Sequence, residues 1–185
     1  VDGRAGYRPA KPKAPELDSD VTGRELDSAT SRQLRALESR NAATVAKHLV
    51  MTGRYLELDP QFALEHAVAA SRSAGRISAV REAVGVAAYV AEDYELALRE
   101  LRTHRRISGS LDHLALLVDC ERALNRISKA LDMIEEAKRE ELPAQVRVEL
   151  AIVESGIYAD QGKKSQAISA LQIPQLNPKR AFEYS

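Results

Sequence analysis

Four alanines set the tightest constraint on this chain: Ala63, Ala97, Ala130 and Ala167, spaced 34, 33 and 37 residues apart. Each sits in a similar local pattern. Tyr94 leads to Ala97, Leu98 and Leu101; Ile127 to Ala130, Leu131 and Ile134; Lys164 to Ala167, Ile168 and Leu171. Asp59-Pro60 leads in the same way to Ala63, Leu64 and Ala67. A turn residue stands five positions ahead of three of the alanines: Glu92, Asn125 and Gly162. Apolar residues at these offsets form one stripe of a helix. A small residue early in such a helix lets its backbone pass close to the helix before it. The period therefore predicts a unit of about 34 residues made of two antiparallel helices.

The rest of the sequence agrees with an all-α fold. A chain of 185 residues suits one domain, and 44% hydrophobic with 29% charged residues favours folding over disorder. Aromatic residues make up only 4%, with no Trp, so alanine and leucine carry the core, and both favour helix. No run alternates with period two for long enough to be a strand. Pro9, Pro12 and Pro15, beside Gly3 and Gly6, mark residues 1–20 as an extended tail or linker. Residues 21–185 then form a helical repeat domain of about four helix pairs. The spacing predicts helices over 23–37, 40–57, 60–74, 76–91, 93–107, 111–125, 127–140, 143–161 and 164–172. Thr22 and Glu25 have the form of a capping box for the first of these. Gly85 and Gly156 fall inside predicted helices, where glycine costs about 1 kcal/mol against alanine; close crossing of two helices would account for them. Gly53 precedes Ala63 by ten residues instead of five, which predicts a longer turn, RYLELDP, in the first hairpin.

With the alanine period, Val84, Gly85 and Ala88 in one first helix and Leu117 and Val118 in the next, the chain resembles the tetratricopeptide repeat family over roughly residues 40–179. Asp59-Pro60 and Asn177-Pro178 resemble the closing proline of such repeats. Glu121, Ser155 and its neighbour Glu154 fit the pattern poorly. The run HLVMTGRYLELDPQFALEHAVAA is similar to tetratricopeptide proteins of actinobacteria. The resemblance implies an α-α superhelix of helix-turn-helix repeats, and a scaffold that binds protein or peptide without enzymatic activity. In such an array the first helix of each pair lines an inner groove. Projecting the helical period puts Lys47, Val50 and Met51 on that wall, then Glu82, Val86, Tyr89 and Val90. Asp119, Arg122 and Ala123 follow, then Glu149, Ile152 and Asp160. Mixed charge around Tyr89, Val86 and Met51 suits an extended peptide or a partner helix, with Tyr89 either the anchor of that groove or a core-packing residue.

Other chemistry finds little support. Lys plus Arg equals Asp plus Glu at 27 each, so no overall field draws the chain to nucleic acid or an anionic membrane. No apolar run approaches the length of a membrane span, and no signal-peptide core follows the first residues. Cys120 is the single cysteine, which excludes an intrachain disulfide and a cysteine-cluster metal site; a cytoplasmic protein is expected. Asp119 and Glu121 beside Cys120 would raise its pKa, against a nucleophile. Neither His48 nor His66 stands in a metal spacing. His104 and His113 flank the turn at Gly109, but two ligands do not make a site, so no metal or cofactor is expected. Glycine-rich phosphate loops and GxSxG are absent, and no enzyme is expected. The alternative is an RNA or ribonucleoprotein factor using the basic face of Arg99, Arg102, Arg105 and Arg106, although no aromatic residues interleave for base stacking. Finally, AFEYS follows where another first helix would begin. The last hairpin would then expose an apolar edge suited to dimerisation, or the chain belongs to a longer one, as its start at Val1 also suggests.

Overall fold

A helix cannot propagate through a residue held in the left-handed region, and three such positions cut this chain into hairpins. Glu92, Asn125 and Gly162 have φ of 62°, 57° and 71°. They are the residues five ahead of Ala97, Ala130 and Ala167. After each, the next backbone N–H donates to the carbonyl five residues back: Asp93 to Ala88 at 2.8 Å, Arg126 to Glu121 at 2.8 Å and Lys163 to Tyr158 at 2.9 Å. That bond closes a helix C-terminus in the Schellman manner. The same turn is thus built three times from three different residue types.

The computed structural model describes residues 13–176. Among them, nine α-helices form and no strand: α1 (Ser28–Leu34), α2 (Ser39–Tyr55), α3 (Pro60–Ala74), α4 (Ser78–Val90), α5 (Tyr94–Ser108), α6 (Leu114–Ala123), α7 (Ile127–Ala137), α8 (Ala144–Asp160) and α9 (Lys164–Ala170). A 3₁₀ turn follows at Pro174–Leu176. The helices pair as α2–α3, α4–α5, α6–α7 and α8–α9. Each of the four alanines is the fourth residue of the second helix in its pair, and all four are buried. Gly85 shows why small residues are needed. A Cβ there would lie 2.6 Å from the Leu101 side chain and 3.1 Å from its backbone nitrogen, so α4 and α5 do cross closely.

Successive hairpins pack side by side. Val45 and Leu49 of α2 share a buried cluster with Val80 of α4, and Leu114 and Val118 of α6 share one with Val146 and Leu150 of α8. Between them, α4 and α6 meet through side chains: Glu82 with His113, and Tyr89 with Asp119. The two pairs run in the same order along both helices, so α4 and α6 are parallel neighbours. Their backbones approach less closely than those of α2 and α4 or of α6 and α8. The second and third hairpins are joined instead by α5 against α6, in a buried cluster of Ala88, Leu98, Leu101, Leu117 and Cys120.

The structure differs from expectation at the N-terminal end. Thr22 and Glu25 do bond to each other, the Thr22 N–H donating to Glu25 Oε1 at 2.9 Å. No helix starts there, because Gly23 has φ of 86° and breaks propagation. Instead α1 begins at Ser28, with Asp27 accepting from the N–H groups of Ala29 and Thr30 at 2.8 and 2.9 Å. Asp18 and Asp20, placed in the tail by sequence, both pair with Arg54 of α2, at 2.6 and 2.8 Å. Val21 beside them is buried, so the packed unit reaches back to Asp18. Gly53 lies within α2 and ends nothing; the first hairpin turns at Leu56–Asp59, one residue longer than the other turns and with no left-handed residue. The readings on residues 1–12 and on Asn177-Pro178 lie outside the described residues.

Gly85 and Gly53 make a matched test of the crossing. A Cβ at Gly53 would meet nothing within 4 Å, so Gly53→Ala should stabilise by roughly 0.5–1 kcal/mol through helix propensity. Gly85→Ala should destabilise by about 1–3 kcal/mol through overpacking against Leu101. Urea denaturation of the two variants measures both signs.

Candidate functional site

The face built by the first helices carries most of the charged and polar side chains expected there. Glu82, Val86 and Tyr89 fall at i, i+4 and i+7 of α4, which aligns them in one stripe. The Tyr89 hydroxyl donates to Asp119 Oδ2 of α6 at 2.7 Å. Arg122, one turn on, donates from Nη1 to Asp119 Oδ1 at 2.9 Å and from Nε to Asp160 Oδ2 of α8 at 2.7 Å. Tyr89, Asp119, Arg122 and Asp160 therefore form a continuous polar chain across three helices. Burial, then the Asp119 bond, pushes the Tyr89 hydroxyl above its ordinary pKa, and the Arg122 guanidinium holds the Asp160 carboxyl below its own. Gly156 has its reason here. A Cβ would stand 2.8 Å from Arg122 Nη1, so the missing side chain leaves room for the guanidinium and no tight helix crossing is involved.

Around this chain, Lys47, Val50, Val86 and Glu149 are half-buried, while Val90, Ala123 and Ile152 are exposed. Met51 is the correction: it is fully buried and cannot line an open wall. A signal for this was present in the sequence. Met51 stands twelve residues before Ala63, as Gly85 does before Ala97 and Val118 before Ala130, and that offset is the close-contact position of the first helix. Beside the face, Leu49, Thr52, Ala83 and Val86 help line a largely apolar cavity of about 310 Å³ between α1, α2 and α4.

The basic stripe divides differently. Arg99 Nε pairs with Glu100 at 3.0 Å, and Arg102 pairs with Glu121. Both acids are buried, and Glu121 also takes Lys129 at 2.9 Å. Burial pushes the Glu121 carboxyl up, but the Lys129 and Arg102 cations outweigh it and hold the acid below its ordinary pKa. The poor match at Glu121 is thus a buried anion joining α5, α6 and α7. Glu154 plays a similar part with Lys138 at 2.9 Å. Arg105 is half-buried against Leu114 and Met133, and Arg106 is exposed.

Two histidine groupings appear: the sequence set His104 and His113 about the Gly109 turn but not Glu82 with them, and did not join His48 to His66. His113 Nε2 lies 2.6 Å from Glu82 Oε1, and its ring centroid is 5.6 Å from that of His104. The carboxylate raises the His113 pKa, and His113 lowers that of Glu82. In the first hairpin, His48 and His66 face each other, Nδ1 to Nδ1 at 2.8 Å, with one neutral ring donating to the other. His66 has no exposed surface, and its Nε2 has no hydrogen-bond partner. Cys120 is equally buried, and burial with the flanking carboxylates pushes its thiol up to about 12, which leaves it inert. A second cavity, of about 440 Å³, opens between α7, α8 and α9, lined by Ile134, Leu142, Leu150, Tyr158 and Ile173 with Lys138 and Glu154 at its side.

No protein-family model matches the chain, and no curated protein matches it.

The buried histidines give a pH dependence with a definite sign. Burial, then the neighbouring His48, pushes the His66 pKa down from 6.5 to about 4. Between these values the unfolded chain binds the proton and the folded chain does not. Stability should therefore be full above pH 6.5 and fall as pH drops towards 4, by up to about 3 kcal/mol. Urea denaturation across this range should give a shallower slope for His66→Leu than for the wild type; parallel slopes would remove His66 from the account.

Proposed function

We propose that the chain is a non-enzymatic scaffold of the tetratricopeptide type, binding an extended peptide or a helix of a protein partner along the face of α2, α4, α6 and α8. The observation that carries this reading is the recurrence of one local geometry. Three left-handed turns, each five residues ahead of a buried alanine, align three hairpins in the same way and bring their first helices to one side. Such a surface is long, and the accessible side chains on it are of mixed character: Lys47, Val86, Val90, Glu149 and Ile152. The polar chain from Tyr89 to Asp160 satisfies itself internally. Its role is to hold the wall in register, while the apolar positions between its members supply contact area for a partner.

The RNA reading draws on the same arginines, but Arg102 already pairs with the buried Glu121, while Arg99 shares Glu100 with Arg81 of α4. Competing phosphates would have to strip an ion pair from a buried acid, which is costly. Among the described residues, no helix is long and apolar enough to cross a membrane. Ile168 of α9 and Leu171 just after it are exposed, and they supply the apolar edge on which a second copy or a following helix would pack.

Capture from native lysate with a nuclease control tests the reading. The captured partner should be a protein that survives nuclease, and Val90→Arg with Ile152→Arg should weaken it about tenfold or more. Arg106→Glu should leave it unchanged. Nuclease-sensitive capture that falls steeply with salt and is lost in Arg106→Glu would favour RNA.

A further inference from the structure

We propose that Glu82, His104 and His113 form a binding site for one divalent transition-metal ion of the zinc class, placed so that it ties the second hairpin to the third. One donor atom from each residue lies within 4.8 Å of the other two. Two imidazoles and a carboxylate are a three-ligand set for tetrahedral zinc, with the fourth position left to water. Calcium or magnesium would require oxygen ligands throughout. Metal–ligand bonds of about 2.0–2.2 Å put tetrahedral donor atoms about 3.3 Å apart. The closest pair, His113 Nε2 and Glu82 Oε1 at 2.6 Å, has to open slightly and the widest to close by about 1.5 Å at most. Side-chain torsions supply movements of that size.

Two further features support the assignment. His104 Nδ1 lies 3.1 Å from the Ser78 backbone carbonyl. The Ser78 hydroxyl lies 3.0 Å from the same nitrogen; in the tautomer whose Nδ1–H donates to the carbonyl, Nε2 carries the lone pair that a metal needs. The Ser108 hydroxyl lies 2.9 Å from the His104 carbonyl oxygen and 3.3 Å from His104 Nε2, a contact that a bound metal would replace. The second feature is position. Glu82 comes from α4, His104 from the last turn of α5 and His113 from the residue that opens α6, and the loop between the histidines turns at Gly109 with φ of 72°. These elements lie on both sides of the junction at which neighbouring first helices approach least closely. A metal bound there reinforces that junction and favours the register in which Tyr89 meets Asp119. The proposal does not depend on the partner reading above.

Zinc alone is the probe, titrated by calorimetry into the full chain, untagged and stripped with chelator, with Co²⁺ as a spectroscopic substitute. One equivalent should bind per chain, Co²⁺ should show the intense visible bands of a tetrahedral site, and Tm should rise with zinc concentration. Glu82→Gln and His113→Ala should each weaken zinc by about 100-fold or more while keeping the helical circular dichroism of the wild type. Both side chains are partly exposed, so the fold tolerates their loss. Absence of saturable binding would overturn the proposal. So would stoichiometric zinc retained in both variants, which would place the ion elsewhere, for example at His48 and His66.

Discussion

The close approach of two helices within each hairpin is the constraint on which the rest of the structure depends. Aromatic residues are scarce, so large side chains cannot fill wide gaps, and the helices must touch nearly backbone to backbone. Alanine at the fourth position of the second helix permits this from one side. Gly85, Val118 and Met51, each twelve residues before an anchor, meet it from the other. Dispersion contacts at that separation are individually small and collectively large. The left-handed turn is what delivers the register, because it fixes where the second helix starts relative to the end of the first. A non-glycine residue in that conformation costs roughly 1–2 kcal/mol, and Glu92 and Asn125 are held there by the packing on both sides.

Between hairpins the chain uses charge where it lacks bulk. Glu121 and Glu154 are buried carboxylates met by cations from the hairpin before, Arg102 and Lys138, while Glu100 is met within its own hairpin by Arg81 of α4. Buried ion pairs contribute little net stability once desolvation is counted, but removing one partner is strongly unfavourable. Such pairs reject wrong registers more than they strengthen the right one. Arg99 and Arg102 of α5 belong to this network.

Local sterics made much of the fold legible in advance. α3 runs over Pro60–Ala74 as expected from Pro60 and Gly75, and α5 starts within one residue of its expected place. The alanines and turn residues act over a few positions, so their effect survives without knowledge of tertiary context. The first helix was misread for the opposite reason: the Thr22–Glu25 bonds form, yet Gly23 packs against α2, where a Cβ would lie 3.0 Å from Ala46, with φ of 86°. Met51 was misplaced because a helical wheel has no depth, although its offset from Ala63 contained the answer. Glu82 could not be joined to His113 from sequence at all, since their meeting depends on the register of two helices 31 residues apart. The unpartnered nitrogen of His66 is likewise a product of packing alone.

The first-helix face and the second-helix face now have distinct chemistry. One presents apolar positions held apart by a self-satisfied polar chain; the other commits Arg99 and Arg102 to buried acids. Hydrogen–deuterium exchange of the chain with and without its captured partner separates them most directly. The account expects added protection across 78–90, 114–123 and 144–160, with 94–108 unchanged. Protection concentrated in 94–108 would contradict it.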